Sequence, residues 1–578
     1  MSSEAFIPHY EDPIYALKGY QSFLPHMGPL VCDLYALTMA YASFKLGFVD
    51  TVTTSNVFCR SLANNGQTYI DPNGEQKPVK VPYLINAGQG LVAEWFKGWQ
   101  FSDGDLHYLA TLEGPSATPG KTERLFPNDF LYFLSQQRLH LDIDAMDEGA
   151  LIFPHEPAMT ITGPFWQQQA VEANVLSLIS TSTNLTTLAT QVRLAAERAA
   201  AREGKTMVEA SALDVEKAPI AEMALRRTPS IGGLPSARGA YIAGMTNTSN
   251  VYAGKCYGIP VMGTFAHSWV LLHDTQAEAF ENWARAYPGA TVFLADTYDT
   301  IEGVKEAIRI CKKYGLKLKG IRLDSGDMEY LSQQSYEALV EAGYGEAVIL
   351  ATNAVTVKGV FDLFGSCVDE VSLQRSRING FGLGSEFAIN QYQPLLSHVM
   401  KLAAVYGADH KTVAREVAKL SETPEKTTLP GELKVLRFYR QEADGRRQFR
   451  GDTIVAKADA FGAGILNRDV VSVHAQTGSR KIFFKGYVFE EPLRPWTRDG
   501  FMVQPNYIEE HPHKIVLAAR ETCANALASL APQHRRVRMP GKIGWGIEEG
   551  LWSRREALVA KRDAERSRRD FAAEYRIA

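Results

Sequence analysis

The chain is predicted to be an α/β protein: an irregular (β/α) barrel with a second α+β domain built from the N-terminal flank and the segment after the barrel. Three observations predict this. Apolar strand-like runs at Ile259–Gly263, Thr291–Ala295, Leu318–Leu323, Ala347–Ala351 and Glu370–Leu373 recur in the middle of the chain. Amphipathic, helix-patterned stretches such as Glu278–Arg285, Glu302–Lys313 and Tyr330–Glu341 separate most of them, at spacings of roughly thirty residues, which is the pattern of βα units and a parallel sheet. The flanks read instead as short strands and turns. In a βα barrel the C-terminal strand ends open onto one face, where catalytic groups gather. Here the runs are followed by Thr264–Ser268 (TFAHS), Asp296–Thr300 (DTYDT), Asp324–Asp327 (DSGD), Thr352–Asn353 and the glycine-rich Gly380–Ser385 (GFGLGS).

Taken in order, residues 1–25 carry Pro8, Pro13 and Pro25 and read as irregular. Leu30–Gly47 has helical apolar spacing and ends at a glycine, Val52–Arg60 alternates like a strand, and the polar stretch Asn64–Lys80 reads as a long hairpin insertion. Asp144–Thr162 is broken by Gly149 and Pro154 into short antiparallel-type runs, and the alanine-rich Glu172–Arg202 is a helix. After the βα section, Lys434–Tyr439 and Lys481–Val488 return to strand character, and 509–578 is helical in parts, ending in the charged KRDAERSRRDF. The expected division is 1–171 as N-terminal flank and 172–398 as barrel. The third part, 399–578, completes the flanking domain and then extends as helix.

The chain has 578 residues, 45 % of them hydrophobic and 22 % charged, with a formal net charge of −4. That composition describes an ordinary globular protein and argues against general nucleic-acid binding, which needs a basic surface. The six cysteines form no CxxC pair and read as reduced thiols. The start of the chain lacks the basic and apolar regions of a secretory signal, and no apolar run is long enough to span a membrane. A soluble, cytoplasmic protein is the expectation.

Several residues could carry chemistry. A neutral imidazole at His267, just past a strand, can attack a phosphoryl group or take a proton; a hydrogen-bonded structural histidine is the alternative. Arg226 and Arg227 could clamp a phosphate or carboxylate bidentately. The glycine run 380–385 would let backbone N–H groups approach a phosphate, although it has neither Rossmann spacing nor a P-loop lysine. Asp296, Asp324 and Asp327 offer carboxylates to ribose hydroxyls or to Mg²⁺ on a diphosphate; the competing reading is that Asp299 and Glu302 form a capping box and Asp324 opens a turn. Lys419–Gly431 (KLSETPEKTTLPG) is either an anion contact or the loop before the next strand. Together these parts call for a phosphoribosyl donor, an acidic base and a phosphoryl-carrying histidine.

With DLYALTMAY (33–41), LRR (225–227), GTFAHSW (263–269), LADTYDT (294–300), IRLDSGD (321–327), GFGLGS (380–385) and KLSETPEKTTLPG (419–431) in this order, the chain resembles the nicotinate phosphoribosyltransferases of the barrel-type phosphoribosyltransferase superfamily. The resemblance covers about 30–440 and is loose beyond. It implies condensation of nicotinate with 5-phosphoribosyl-1-diphosphate, coupled to ATP hydrolysis and dependent on Mg²⁺, in a homodimer with shared active sites. By that analogy His267 is transiently phosphorylated and Tyr35 covers the pyridine ring. Arg226 and Arg322 meet its carboxylate or a nearby phosphate. Asp296 and Asp324 hold the ribosyl diphosphate and the metal, and Gly382, Gly384 and Ser385 cradle the 5′-phosphate. Arg227, Ser249, Thr264, Ser325, Gly326 and Asn353 complete the implied substrate contacts. The chain departs from relatives at Met223, Ala224 and Leu225, where an aromatic and a glycine are frequent, and at Thr352–Asn353, where some carry an acidic pair. A nicotinamide-using relative would carry an acid before Val251–Gly254; here the residues are Thr248, Ser249 and Asn250, which favours the acid substrate. A quinolinate-using relative or a non-catalytic ligand-binding homologue are the further alternatives.

Overall fold

The structure is a computed structural model and describes residues 22–202, 220–228, 233–352, 355–357, 359–360, 376–390, 392–421, 426–462, 469–474, 477–483, 487–504, 507, 512–537 and 540–574. Its catalytic half is a curled, all-parallel sheet of six strands. Across the sheet they run Asn247–Thr248, Ile220–Glu222, Gly380–Leu383, Val348–Ala351, Gly320–Leu323 and Val292–Leu294. The segment after Ile259 lies between the two edges. Val261 makes a single parallel bridge to Thr248, Met262 N–H donates to Thr248 O at 2.9 Å, and the Phe265 ring packs against Phe293 of the opposite edge strand. The fold class is therefore an irregular barrel, and its strands are buried on both faces, as parallel strands wrapped by helices are.

Three sequence expectations change here. Ile259–Gly263 is not a ladder strand but a one-residue bridge, because Pro260 has no N–H to give to a ladder. Gly380–Leu383 is a buried strand, not a loop. A Cβ on Gly382 would stand 2.6 Å from Met223 Sδ and 2.8 Å from Thr352 Cγ2, so the glycine serves close packing between neighbouring strands. The strand Ile220–Glu222 was not foreseen; three residues are too few for a periodicity signal. Glu370–Leu373 lies outside the described residues. The helices between strands stand where their amphipathic pattern put them, at Gln276–Ala286, Thr300–Tyr314 and Met328–Glu341.

A seven-stranded antiparallel sheet draws strands from both ends of the chain. Val52–Cys59 lies between His398–Tyr406 and Pro157–Pro164, and the far edge is made by Leu493–Arg498 and Phe501–Met502. A second six-stranded sheet, built from residues between Leu433 and Glu548, was not anticipated; its order places Trp545–Glu548 between Val470–Val473 and Arg447–Ala456. The polar insertion forms a hairpin, Asn64–Ile70 with Gln76–Lys80. One helix, Phe165–Arg202, runs through the expected division at 171/172 and packs on both halves: on the helices Leu34–Lys45 and Leu234–Ile242, and on the strand His398–Tyr406. A buried ion pair joins the halves as well, Glu148 Oε1 to Arg238 Nη1 at 2.5 Å. There are two large apolar cores, one inside the barrel and one under the antiparallel sheet that also takes in Val175, Leu178, Leu234 and Tyr257 from beyond residue 171. The described cysteines are unpaired, and Cys367 lies outside the described residues.

Candidate active site

The C-terminal ends of two adjacent barrel strands and the segment after Gly263 bring five polar side chains into one network. Arg322, on the strand Gly320–Leu323, donates from Nε to Thr352 Oγ1 at 2.9 Å. It also donates from Nη1 to Thr264 Oγ1 at 3.1 Å and from Nη2 to Asp324 Oδ1 at 3.1 Å. Thr352, just past the neighbouring strand, closes the triangle by donating its hydroxyl to Asp324 Oδ1. Asp324 Oδ2 faces His267 Nε2 at 3.7 Å. Burial raises the Asp324 carboxyl, but the Thr352 hydroxyl, the Arg322 guanidinium and His267 together outweigh it and hold the group below the usual aspartate range.

His267 opens the short helix His267–Leu271 and keeps 41 % of its side chain exposed. Its Nδ1 shares a hydrogen bond with Thr297 Oγ1 at 3.0 Å, which fixes the ring and leaves Nε2 on the side of Asp324. An imidazole so oriented presents one nitrogen to a reacting group while the other is anchored. Thr297 carried no weight in the sequence reading, although it stands next to Asp296 in the motif that drew attention.

Asp296 is buried, with 8 % exposure. Its Oδ2 accepts from the Asp324 N–H at 2.9 Å and from Ser325 Oγ at 2.5 Å, so the carboxylate of one strand end shapes the turn after the next. Its Oδ1 is buried without a hydrogen-bond partner among the described residues, a costly state for a carboxylate unless a ligand satisfies it. Asp327 does something else: it caps the helix Met328–Glu341 by accepting from Tyr330 N–H at 3.1 Å. Asp299 likewise caps Thr300–Tyr314, accepting from Glu302 N–H. The cap expected of Asp299 with Glu302 is thus made through the Glu302 N–H, whereas Asp327, expected to offer its carboxylate to a ribose or Mg²⁺, caps its own helix. Gly326 follows at a φ of +84°, in the left-handed region that suits glycine.

The other side of the barrel mouth is less connected. Arg226 and Arg227 sit exposed in a 3₁₀ turn, Leu225–Arg227. Gly384 and Ser385 follow the strand Gly380–Leu383, and a Cβ on Gly384 would meet no atom within 4 Å. Ser249 N–H donates to Glu222 O at 2.8 Å. Glu222 itself was overlooked. Its buried carboxyl accepts from Thr248 Oγ1 at 2.6 Å, Ser236 Oγ at 2.8 Å and Ala224 N–H at 3.0 Å. Burial drives this carboxyl above the ordinary range against the pull of those donors. A carboxyl does therefore stand beside Thr248, contrary to the sequence argument that counted none there.

Asn353 lies outside the described residues. Tyr35 stands on the helix Leu34–Lys45 in the flanking domain, 47 % exposed, with its hydroxyl 3.4 Å from Glu172 Oε2. Among the described residues no group of three or more His, Cys, Asp or Glu side chains is placed to hold a metal. The two aspartates nonetheless supply the hard oxygen donors that suit Mg²⁺, an ion usually held by one or two carboxylates together with substrate phosphates.

A curled parallel sheet whose strand ends gather an imidazole, two linked carboxylates and an arginine defines a barrel enzyme built for anionic substrates. Comparison with known proteins makes the class specific. The nicotinate phosphoribosyltransferase (NAPRTase) N-terminal domain model matches residues 30–180, and the nicotinate phosphoribosyltransferase (NAPRTase) family model matches 232–457. The nicotinate phosphoribosyltransferase pncB2 of Mycobacterium tuberculosis is 33 % identical over 386 residues, 66 % of this chain and 72 % of that protein. The nicotinate phosphoribosyltransferase of Caenorhabditis elegans is 25 % identical and extends the similarity to 91 % of this chain and 92 % of its own length. In fold, the chain is similar to the crystal structure of human nicotinic acid phosphoribosyltransferase, with a TM-score of 0.66 at 21 % identity over 91 % of this chain and 99 % of that one. The chain belongs to the nicotinate phosphoribosyltransferase family.

Proposed function

We propose that this enzyme condenses nicotinate with 5-phosphoribosyl-1-diphosphate to give nicotinate mononucleotide and diphosphate, opening NAD salvage from the free acid. The observation that carries the reading is the network of His267, Asp324, Arg322, Thr352 and Asp296 at adjacent strand ends in a member of this family. Asp296 and Asp324 face the ribosyl diphosphate, and Mg²⁺ bound with that substrate would neutralise charge on the departing diphosphate. Arg322 donates four hydrogen bonds from its five N–H groups, to Thr352, Thr264, Phe265 O and Asp324. It therefore orients Asp324 first and offers its remaining donor to the base carboxylate or a phosphate. Thr248 and Asn250 are committed to Glu222 and to capping Val251–Tyr257, which leaves Ser249 as the polar side chain facing the base. Arg226, Arg227, Gly384 and Ser385 lie open to anionic groups, and the packing of Gly382 lets the backbone there approach the 5′-phosphate.

ATP enters as co-substrate through His267. With Nδ1 anchored on Thr297, Nε2 attacks the γ-phosphorus; an N–P bond forms as the bond to ADP breaks, and water later releases phosphate. The base pocket is completed in a homodimer, where Tyr35 of one subunit covers the ring held by its partner's barrel. The protein works in the cytoplasm, without nucleic acid or membrane; among the described residues no helix is long and apolar enough to cross a membrane. Product analysis tests the reading. Nicotinate, nicotinamide and quinolinate are each supplied with phosphoribosyl diphosphate, with and without ATP. Nicotinate mononucleotide should form fastest, ADP should appear with it, and omission of ATP should slow it. A product from nicotinamide alone would refute the acid substrate, and a rate indifferent to ATP would refute the coupling.

A further inference from the structure

The hairpin Asn64–Ile70/Gln76–Lys80 is tied to the segment before the C-terminal strand Trp545–Glu548, Asn65 Nδ2 donating to Val537 O at 2.9 Å. Between them is a cavity of about 490 Å³, within the size range of small-molecule sites. None of the barrel cluster residues lines it. Its walls have two chemical characters. Arg60, Lys80 and Lys542 reach it from three separate segments, and no Asp or Glu is found among the described lining residues. Arg60 Nε is buried with no hydrogen-bond partner among the described residues, and burial lowers the Lys80 pKa. The other walls are flat and apolar. The Trp545 ring is tilted by 48° against His474, with ring centroids 4.9 Å apart, and Tyr69 lines the cavity from the hairpin together with Pro78. Solvated surface lysines alone would not leave a buried guanidinium N–H without an acceptor beside them.

We propose that this cavity is a second ligand site, taking an anion built on a planar ring and of mononucleotide size. The three cations would meet the phosphate or carboxylate, and Tyr69, 38 % exposed, would stack the ring, with the buried Trp545 forming the apolar floor. This gives the hairpin insertion and the C-terminal sheet a joint purpose that the transferase reaction does not require of them.

Equilibrium binding to the full chain tests it, with AMP and nicotinate mononucleotide as ring-bearing probes and inorganic diphosphate as the ringless one. Lys80 and Lys542 are exposed and have no ion-pair partner among the described residues, so the double variant Lys80→Glu/Lys542→Glu should fold, which its unfolding midpoint checks. Wild-type protein should bind one equivalent per chain of at least one ring-bearing probe that the double variant loses or binds weaker by on the order of tenfold or more. Asp324→Ala should keep that equivalent, because it belongs to the cavity and not to the barrel. Tyr69→Ser should weaken the ring-bearing probes and leave diphosphate unchanged. Equal stoichiometry and affinity in wild type and double variant, or loss of the equivalent in Asp324→Ala, would overturn the site. Diphosphate binding there as tightly as the ring-bearing probes would overturn the ring.

Discussion

Thr352→Val isolates the hydroxyl that couples the arginine to the aspartate. Thr352 Oγ1 accepts from Arg322 Nε at 2.9 Å and donates to Asp324 Oδ1. Valine keeps the shape and leaves one charged N–H and one carboxylate oxygen each short of a partner. A hydrogen bond to a charged group contributes about 1.5–3 kcal/mol, and two are removed. Arg322 and Asp324 are 15 % and 22 % exposed and keep their direct 3.1 Å contact, so water and that contact make good part of the loss. The net effect should come near one bond, about 1.5–3 kcal/mol, or roughly ten- to a hundredfold in kcat/KM if the pair must hold its geometry in the transition state. The pH profile gives an independent reading. The Asp324 pKa is depressed, with the Thr352 hydroxyl the largest of the lowering influences against burial. The stability this carboxylate contributes is therefore present above its unfolded value of about 3.9 and is lost as pH falls through its folded value. Valine should raise that folded value. The acid limb of kcat/KM should then move to higher pH, and the stability gap between variant and wild type should narrow in acid. Thr352→Ser should restore both. The assay is the initial rate of nicotinate mononucleotide formation across pH, beside thermal unfolding. A valine variant within twofold of wild type, with its acid limb unmoved, would refute the coupling.

Four further outcomes are expected. With γ-labelled ATP, His267 should carry acid-labile, base-stable label; His267→Ala should lose the label and the ATP stimulation while keeping basal transfer, and unchanged stimulation would sink the assignment. Glu222 has a raised carboxyl pKa, so its stabilisation is full below the unfolded value of about 4.3 and is lost as pH rises through the folded one; Glu222→Gln should flatten that fall in thermal unfolding, and an identical pH dependence would count against it. Gly382→Ala should destabilise by about 1–3 kcal/mol from overpacking against Met223 and Thr352, whereas Gly384→Ala, with open space for its Cβ, should unfold like wild type yet raise KM for phosphoribosyl diphosphate; unchanged KM would remove Gly384 from the phosphate site. Mixing Tyr35→Ala with Asp324→Ala subunits should regenerate activity in hybrid dimers, and no gain after verified subunit exchange would refute the shared site.

The alternation of βα units was legible because each amphipathic helix between strands repeats over three or more turns; Thr300–Tyr314 is an example. Features made of two or three residues were not. Ile220–Glu222 pairs with strands that come later in the chain, so its place is set by partners and not by its own pattern. Gly380–Leu383 looked like a loop because glycine was weighed for its backbone freedom, while in the fold its missing Cβ matters. The site divides in the same way. His267, Arg322 and Asp324 stood out by residue type and position after a strand, but Thr297 and Thr352 are ordinary hydroxyls until the curl of the barrel sets Thr297 beside His267 and parallel pairing sets Thr352 beside Arg322, each from about thirty residues away. The aspartates make the point most sharply. Asp299 and Asp327 each accept from a backbone N–H three residues on and so cap their own helices, an arrangement that needs only local chain. Asp296 accepts from the turn after the neighbouring strand, at Asp324 and Ser325. A strand-end carboxylate is recruited to this site when its donors come from the next strand, so strand register, which sets those distances, decides which aspartates do chemistry and which hold helices.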